Sequence, residues 1–417
     1  MSPRVLIISN TPFHLSDSNG RVLGTLLSGV SNEDKMQFCV NGASVSSALI
    51  ENSYRISDKT VLKGVLARKI QATKLPCDIP AGTGAQKVKG ISRTALSMLA
   101  RDLLWKFCMK RTEFLTLAEQ FKPDIVMWQY GDSGFMADLA RLVAERCNAK
   151  IVVFTTEDYY FKTWDYLSKK DKSFTYTLFS REMKRANKRL FEKVSLCIAN
   201  TPQLAERFKS AFGCRTETIM NSSDLRPIRE DQNEQVENRI VYAGNLGINR
   251  HLSILKIAEA LEKIDPNIRF EVYGHPSESV AEALKAEPNI KLMGFRSYQE
   301  ITDIIKLSRL LIHAESFEEF YRYDLQAAFS TKITDALASG TPLFMFAPDN
   351  LAETSYLMEN ECAFVCTDES TLGDCLRSAL YDGEKRKSIV EKGADTVLKN
   401  HDAKKNCRYM VEMLESL

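Results

Sequence analysis

From Arg4 to Pro348 the chain alternates short apolar runs with segments whose apolar residues recur at helical spacing. Arg4-Val-Leu-Ile-Ile-Ser9 is apolar throughout, with no polar alternation, and stops at Asn10-Thr-Pro12. A strand written this way is buried on both faces, the signature of a parallel sheet rather than a half-exposed antiparallel one. Similar runs fall at 123–128, 150–155 and 195–199, with helical patterns over 22–30, up to Lys122, over 137–147 and over 179–193. Thr201-Pro202 opens another helix to Phe212 with a capping threonine and a proline in the first turn. A second series follows. Strands are expected at 239–243, 269–273, 290–293, 309–313 and 342–347, and helices at 252–264, 277–286, 298–307 and 331–339, with further helices from Leu351 onward. Gly340 and Pro342 close the 331–339 helix. Such alternation predicts an α/β protein of parallel sheets with helices on both faces.

The alternation pauses between Met220 and Asn238, where the sequence is polar and acidic. We read this stretch as a linker, giving two doubly wound Rossmann-like domains over 1–222 and 223–393, which suits a chain of 417 residues. Ligands of such folds bind at the carboxyl ends of the strands, so a cleft between the domains is the expected site.

No apolar run approaches the ~20 residues that span a bilayer. The first ten residues read as a buried strand and not as a signal peptide, so the expected location is the cytoplasm. The net charge of +2 gives no support to nucleic-acid binding. Its distribution is uneven: residues 59–111 hold twelve Lys or Arg and two Asp. Within them, 91–111 reads as a basic, apolar helix containing Trp105, suited either to core packing or to an anionic membrane surface. The ten cysteines form no C-x-x-C pair and mostly sit in apolar runs, as reduced buried thiols do.

The most chemically informative segment is Phe329-Ser-Thr-Lys-Ile-Thr-Asp-Ala-Leu-Ala-Ser-Gly-Thr-Pro342. Ser330 or Thr331 caps a helix whose first amides and positive dipole end suit a phosphate. Lys332 and Asp335 share a helix face. The ammonium can neutralise phosphate and the carboxylate can accept from a ribose diol, a pairing that fits a nucleoside diphosphate. Gly244 and Gly247, in Tyr242-Ala-Gly-Asn-Leu-Gly-Ile-Asn-Arg250, allow close approach of backbone to ligand, and Arg250 offers a two-pronged donor for pyrophosphate.

In this order the motifs resemble the retaining glycosyltransferases of family 4, which have the GT-B fold. Asn221-Ser-Ser-Asp224 looks like the family's linker motif, and Gly244-Asn-Leu246 with Arg250-His251 like its second-domain glycine loop. Tyr273-Gly274-His275-Pro276 and Met293-Gly-Phe-Arg296 resemble its next two loops. Thr331-Lys332, Asp335, Ala338, Gly340 and Pro342 match its helix motif. The resemblance implies transfer of a sugar from a UDP- or GDP-sugar to a glycan, lipid-linked or protein-linked acceptor, with retention and without a metal or other cofactor. It implies a donor site made of Gly244, Asn245, Arg250, Gly274, Phe295, Arg296, Ser330, Thr331, Lys332 and Asp335, with Asn19 and Gly20 approaching from the first domain. Arg250 and Lys332 would do the catalytic work on the leaving diphosphate. It also implies that a terminal segment, 394–417, crosses back to the first domain.

Departures from the family pattern accompany these matches. The family's first glutamate falls on Ala327, leaving Glu315, Glu318, Glu319 and Asp324 as substitutes; Asp335 replaces the second glutamate and Asn245 an arginine. They keep two rivals open, a non-catalytic GT-B-like partner subunit and a nucleotide-sugar epimerase. In the first domain His14, Glu157 and Asp158 follow strand ends and are candidates for the acceptor, beside the aromatic cluster Tyr159, Tyr160, Phe161 and Trp164.

Overall fold

A computed structural model describes residues 2–15, 17–79, 93–168, 172–230 and 237–417. Residues 80–92 of the basic segment, including the first two of the expected 91–111 helix, and residues 231–236 of the expected linker therefore lie outside the described residues. The chain divides into two compact units, Met1–Met220 with Lys404–Leu417, and Asn221–Ala403. The division falls close to the linker read from the sequence, while the terminal segment of the first unit starts at Lys404 rather than at Ala394, because the helix over that stretch packs in the second unit.

The first unit is built on an eight-stranded sheet in the order β4-β3-β2-β1-β5-β6-β7-β8. Its strands are β1 (Val5–Ser9), β2 (Lys35–Cys39), β3 (Ser53–Arg55), β4 (Thr73–Lys74), β5 (Ile125–Gln129), β6 (Lys150–Thr155), β7 (Val194–Ala199) and β8 (Thr216–Thr218). All pairings are parallel except β3 with β4. Val5, Leu6 and Ile7 have no exposed surface, as an unbroken apolar run in a central strand requires. Helices α1 (Ser18–Leu26), α2 (Asp58–Lys63), α3 (Ala95–Cys108), α4 (Glu113–Phe121), α5 (Gly134–Cys147), α6 (Phe174–Phe191) and α7 (Pro202–Phe212) complete the alternation. Local signals set their ends. Thr201 Oγ1 accepts from Leu204 N–H (3.2 Å) at the start of α7, and Gly213 ends it with a left-handed φ of 66°.

The second unit has an all-parallel, six-stranded sheet in the order β11-β10-β9-β12-β13-β14. The strands are β9 (Glu237–Ala243), β10 (Arg269–Tyr273), β11 (Ile290–Gly294), β12 (Ser308–Ala314), β13 (Leu343–Phe346) and β14 (Phe364–Cys366). Around them lie α8 (Arg250–Ile264), α9 (Glu278–Lys285), α10 (Tyr298–Lys306), α11 (Glu319–Asp324), α12 (Thr331–Ala338), α13 (Ala352–Glu359), α14 (Leu372–Tyr381) and α15 (Gly383–Thr396). The last helix, α16 (Ala403–Glu415), sends Met410, Met413 and Leu414 into the core of the first unit against β1 and α1. In each sheet the winding reverses beside the first strand of its unit: at β1/β5 in one and β9/β12 in the other. These are the topological switch points, where loops at adjacent strand ends diverge and leave a crevice.

Candidate functional site

The β9/β12 switch point gathers most of the predicted donor-site residues. Gly244 and Asn245 leave the end of β9, and two consecutive left-handed residues, Ile248 (φ 54°) and Asn249 (φ 57°), turn the chain into α8. A β-branched residue at positive φ is strained, and such strain concentrates at functional loops. The turn puts Arg250 at the first position of α8. Its guanidinium does not point freely outward. It grips Glu315, just beyond β12, through Nε–H to Oε2 (2.8 Å) and an Nη–H to Oε1 (2.6 Å). Glu315 is buried, and His313 Nε2 lies 3.4 Å from it and 2.9 Å from Glu353 Oε1. Glu353 Oε2 in turn accepts the Ser330 N–H (3.1 Å).

This network redistributes two of the expected roles. Ser330 occupies the N-cap position of α12, but its hydroxyl makes no capping bond and its amide already belongs to Glu353. Arg250 is an internal partner of Glu315 as well as a donor at the rim. His313, Glu315 and Glu353 offer three ligand atoms within 4.8 Å of one another, a spacing a divalent cation accepts. Their oxygens are already engaged by Arg250, by the imidazole and by the Ser330 amide, so the set is occupied by the protein's own cationic and N–H groups.

Lys332 behaves differently. The side chain is exposed and reaches back over the β9 loop, so close that a Cβ added to Gly244 would lie 2.6 Å from Nζ. Glycine at 244 is what admits the ammonium. No hydrogen bond or ion pair among the described residues takes it up. Surrounding protein and then the Arg250 charge lower its pKa to about 8, against the opposing pull of Glu315 and Glu353. A solvent-accessible cation crowded in this way gains from an incoming anion. The amides of Thr331 and Lys332, in the first turn of α12, have no partner within the helix and add to the same field.

Around this point lie the other predicted positions. Asp335 Oδ1, one turn along α12, accepts from Ser223 Oγ (2.7 Å) and Tyr298 OH (3.2 Å). Gly274 backs directly onto the β9 loop, and its N–H bonds to Gly294 O (3.0 Å). His275 and Phe295 stack with ring centroids 5.1 Å apart and planes 4° from parallel, and Phe295 is 64% exposed. They form an aromatic shelf at the ends of β10 and β11. Arg296 turns back to Phe295 O (2.9 Å), and Asn245 Oδ1 accepts Gly247 N–H (2.8 Å), so the Asn245 side chain serves its own loop. Ala327 is buried. Of the suggested substitute acids, Glu315 enters the network; Glu318 accepts from Asn249 Nδ2 (2.9 Å), Glu319 is exposed in α11, and Asp324 is half-buried at the end of that helix. His313 and Glu353 escaped the sequence reading. They come from β12 and α13, and the sole local hint was a histidine ending an otherwise apolar strand.

The first unit has its own hollow at the β1/β5 switch point, of about 390 Å³. Asn10 and Thr11 border it from β1, Gln129 and Asp132 from β5, and Glu157 from β6, with Arg101 across from them. The predicted Glu157 thus lines this hollow. Asp158 does not: it is buried, bonded to Lys162 (2.7 Å) and Arg207 (3.1 Å), and fixes the loop from within. His14 lies in the loop before α1, and its carbonyl accepts Asp17 N–H (3.0 Å). Gly20 packs against that loop, where a Cβ would sit 2.9 Å from Pro12 O. Asn19 is in α1, and its side chain lies outside the described residues.

Comparison with known proteins bears on both units. Residues 226–396 match the family of glycosyl transferases group 1. The match lies within the second unit and includes Gly244, Arg250, Lys332 and Asp335. No curated protein matches the chain by sequence. Among solved structures, Anabaena HepE in complex with UDP-glucose is similar at 14% identity and a TM-score of 0.62, covering 99% of this chain and 100% of that one. Sucrose-phosphate synthase from Thermosynechococcus elongatus is similar at 9% identity and 0.65, covering 99% and 98%. WaaG, a glycosyltransferase involved in lipopolysaccharide biosynthesis, is similar at 14% and 0.57, covering 98% and 99%. The architecture is GT-B, two Rossmann-like domains on parallel sheets.

Proposed function

We propose that this chain binds a nucleoside-diphosphate sugar at the β9/β12 switch point and transfers the sugar, with retention, to a hydroxyl of a glycan, lipid-linked or protein-linked acceptor during polysaccharide or glycoprotein synthesis. The observation that carries the reading is Lys332: an exposed ammonium that no hydrogen bond or ion pair among the described residues takes up, lying over the backbone of Gly244 beside the first amides of a helix. A diphosphate supplies the negative charge this arrangement lacks. The His275–Phe295 shelf suits a stacked base, and UDP is favoured over GDP because HepE, of the same fold, was crystallised with UDP and UDP-glucose.

In the reaction, Lys332 and the α12 amides neutralise charge building on the departing diphosphate, which is electrostatic stabilisation by groups already in place. Arg250, fixed by Glu315, adds its charge from the rim. The Ser223 and Tyr298 hydroxyls orient Asp335 toward a ribose diol. In this scheme the charge of the leaving group is met by Lys332, the α12 amides and the partly committed Arg250, with no metal invoked. The polar hollow at β1/β5, with Glu157, receives the acceptor.

Calorimetric titration with UDP, UDP-glucose and GDP tests the donor site. We expect Lys332→Ala and Asp335→Ala each to weaken UDP binding by about tenfold or more, the scale of one charge-assisted contact. Unchanged affinity in both variants would refute the assignment. Nucleotide binding with no transfer to any acceptor tried would favour the partner-subunit reading, and the anomeric configuration of a product, read by NMR, tests retention.

A further inference from the structure

Helix α3 buries Trp105 completely, so the one tryptophan that made the 91–111 segment look membrane-active points into the core. What the helix turns outward is different. Leu96, Leu103 and Phe107 are 65%, 71% and 68% exposed, and their spacing puts them on a single face. Arg111 donates to Val65 O (2.8 Å) and Ala67 O (2.9 Å), which holds the end of α2 beside the end of α3. Leu62 in α2 and Leu66 in the turn after it are exposed near that junction, Leu66 almost wholly. Five large apolar side chains gathered on one surface are more than a soluble face ordinarily carries.

Cations outnumber acids around them. Lys59, Lys63, Arg68 and Lys110 are exposed among these leucines. The nearby acids are spoken for: Asp58 by Arg101 and Trp105, Glu113 by Lys69 and the Ala72 amide, and Asp102 by the amides of Gly134 and Phe135. Helix α6 packs beside α3 and repeats the pattern. Its exposed Phe174 and Leu178 lead into Arg181 and Lys188, while Arg185 pairs with Glu182 (2.7 Å). Lys172, Lys184 and Lys188 share a hollow there, and the ammonium of Lys184 is lowered by burial and then by the charges of the other two. Like charges held this close are relieved by an outside anion.

We infer that the outer face of α2, α3 and α6 docks on an anionic lipid bilayer, with Leu62, Leu66, Leu103 and Phe107 entering the headgroup boundary and the surrounding lysines and arginines meeting lipid phosphates. Apolar side chains interleaved with cations are what an interfacial helix presents. A soluble polyanion would use the cations and leave the leucines idle. No described helix is long and apolar enough to cross a membrane, so contact is with the surface.

Co-sedimentation of the full chain with phosphatidylcholine vesicles, and with vesicles containing phosphatidylglycerol as well, decides the matter. Binding to the anionic vesicles at low salt is expected, weakening as salt screens the charges. The pair Leu103→Ser and Phe107→Ser should weaken it about tenfold, because two apolar contacts are lost with no change of charge, with UDP affinity and thermal midpoint unchanged. If that pair fails to fold, Leu62→Ser with Leu66→Ser tests the same face. Absence of binding to anionic vesicles would overturn the inference. So would vesicle binding that soluble polyphosphate abolishes and the apolar substitutions leave intact, which would mark a polyanion site. Failure on vesicles with nucleotide binding intact would leave the donor site untouched.

Discussion

Lys332 and Arg250 look alike in the sequence, two cations in glycosyltransferase-like motifs, and the structure gives them different work. Among the described residues no hydrogen bond or ion pair holds Lys332, whereas Arg250 pairs with the buried Glu315. The consequences separate cleanly. Arg250→Ala strands a buried carboxylate, which costs about 3 kcal/mol or more, so we expect a lower thermal midpoint in the absence of any nucleotide. Lys332→Ala removes nothing the folded protein depends on, and its midpoint without ligand should match the parent. Lys332 also sets a pH dependence. With its pKa lowered to about 8, the ammonium is charged below that value and loses its proton as pH rises through it. Phosphate favours the charged form, so UDP affinity should be flat below pH 8 and then fall about tenfold per pH unit, the slope of one linked proton. Titrations across that range check it; a profile equally flat above pH 8 would remove Lys332 from the phosphate site.

Among the elements, the loops after β9 and β10 depend on each other. Gly244 N–H bonds to Tyr273 O (2.9 Å), and a Cβ at Gly274 would stand 2.3 Å from Gly244 O. Gly274→Ala must therefore push the β9 loop away. We expect a destabilisation of about 1–3 kcal/mol together with weaker UDP binding, measured by melting and titration on the same sample; an alanine variant with parental values in both would show that the loops are not coupled. What could be read from the chain beforehand follows the same division into elements. Lys332 and Asp335 were legible because their spacing, the glycine–proline stop after them and the apolar face of α12 all lie in one short segment. His313, Glu315 and Glu353 meet only through the pairing of β12 with β13 and the placing of α13, and no local pattern announces such a meeting. The strands at β1, β6 and β13 were legible as unbroken apolar runs. Strand β2, Lys-Met-Gln-Phe-Cys, was not, because Lys35 and Gln37 interrupt it. Both are nonetheless buried, Lys35 Nζ donating to Leu27 O (3.2 Å) and Leu49 O (3.1 Å), and Gln37 Nε2 to Ser9 Oγ (2.8 Å). Trp105 shows a different limit: an amphipathic segment reveals two faces but not which of them the fold covers, and core packing, one of the two expected uses, is where Trp105 goes.

For the molecule as a whole, stability should depend on two histidines of the second unit whose titrations are displaced in opposite directions. His401 is fully buried beside the point where the chain leaves that unit. Its Nδ1–H donates to Asn221 O (2.6 Å), and Tyr356 OH lies 2.8 Å from Nε2 while accepting Asn400 Nδ2–H (2.8 Å). Every polar atom of the neutral ring is thus matched, and burial lowers its pKa to about 4 despite the Asn221 carbonyl. The unfolded chain takes up a proton near pH 6.5 and the folded one does not, so this contribution is complete above about pH 6.5 and is lost as pH falls toward 4, amounting to about 3 kcal/mol. His313 has the opposite displacement. Burial resists its charge, but Glu353 and Glu315 outweigh burial and raise it to about 9. Its contribution is complete below about pH 6.5 and is lost as pH climbs through 9. Together the two give a stability that peaks near pH 6.5 and declines on both sides. Calorimetric melting from pH 4 to pH 9 should show that peak. His401→Gln should flatten the acid limb and spare the alkaline one, and His313→Gln should do the converse. If both variants melt with the parent's pH profile, other groups control it, and the two imidazoles do not act as the carbonyl and carboxylate contacts require.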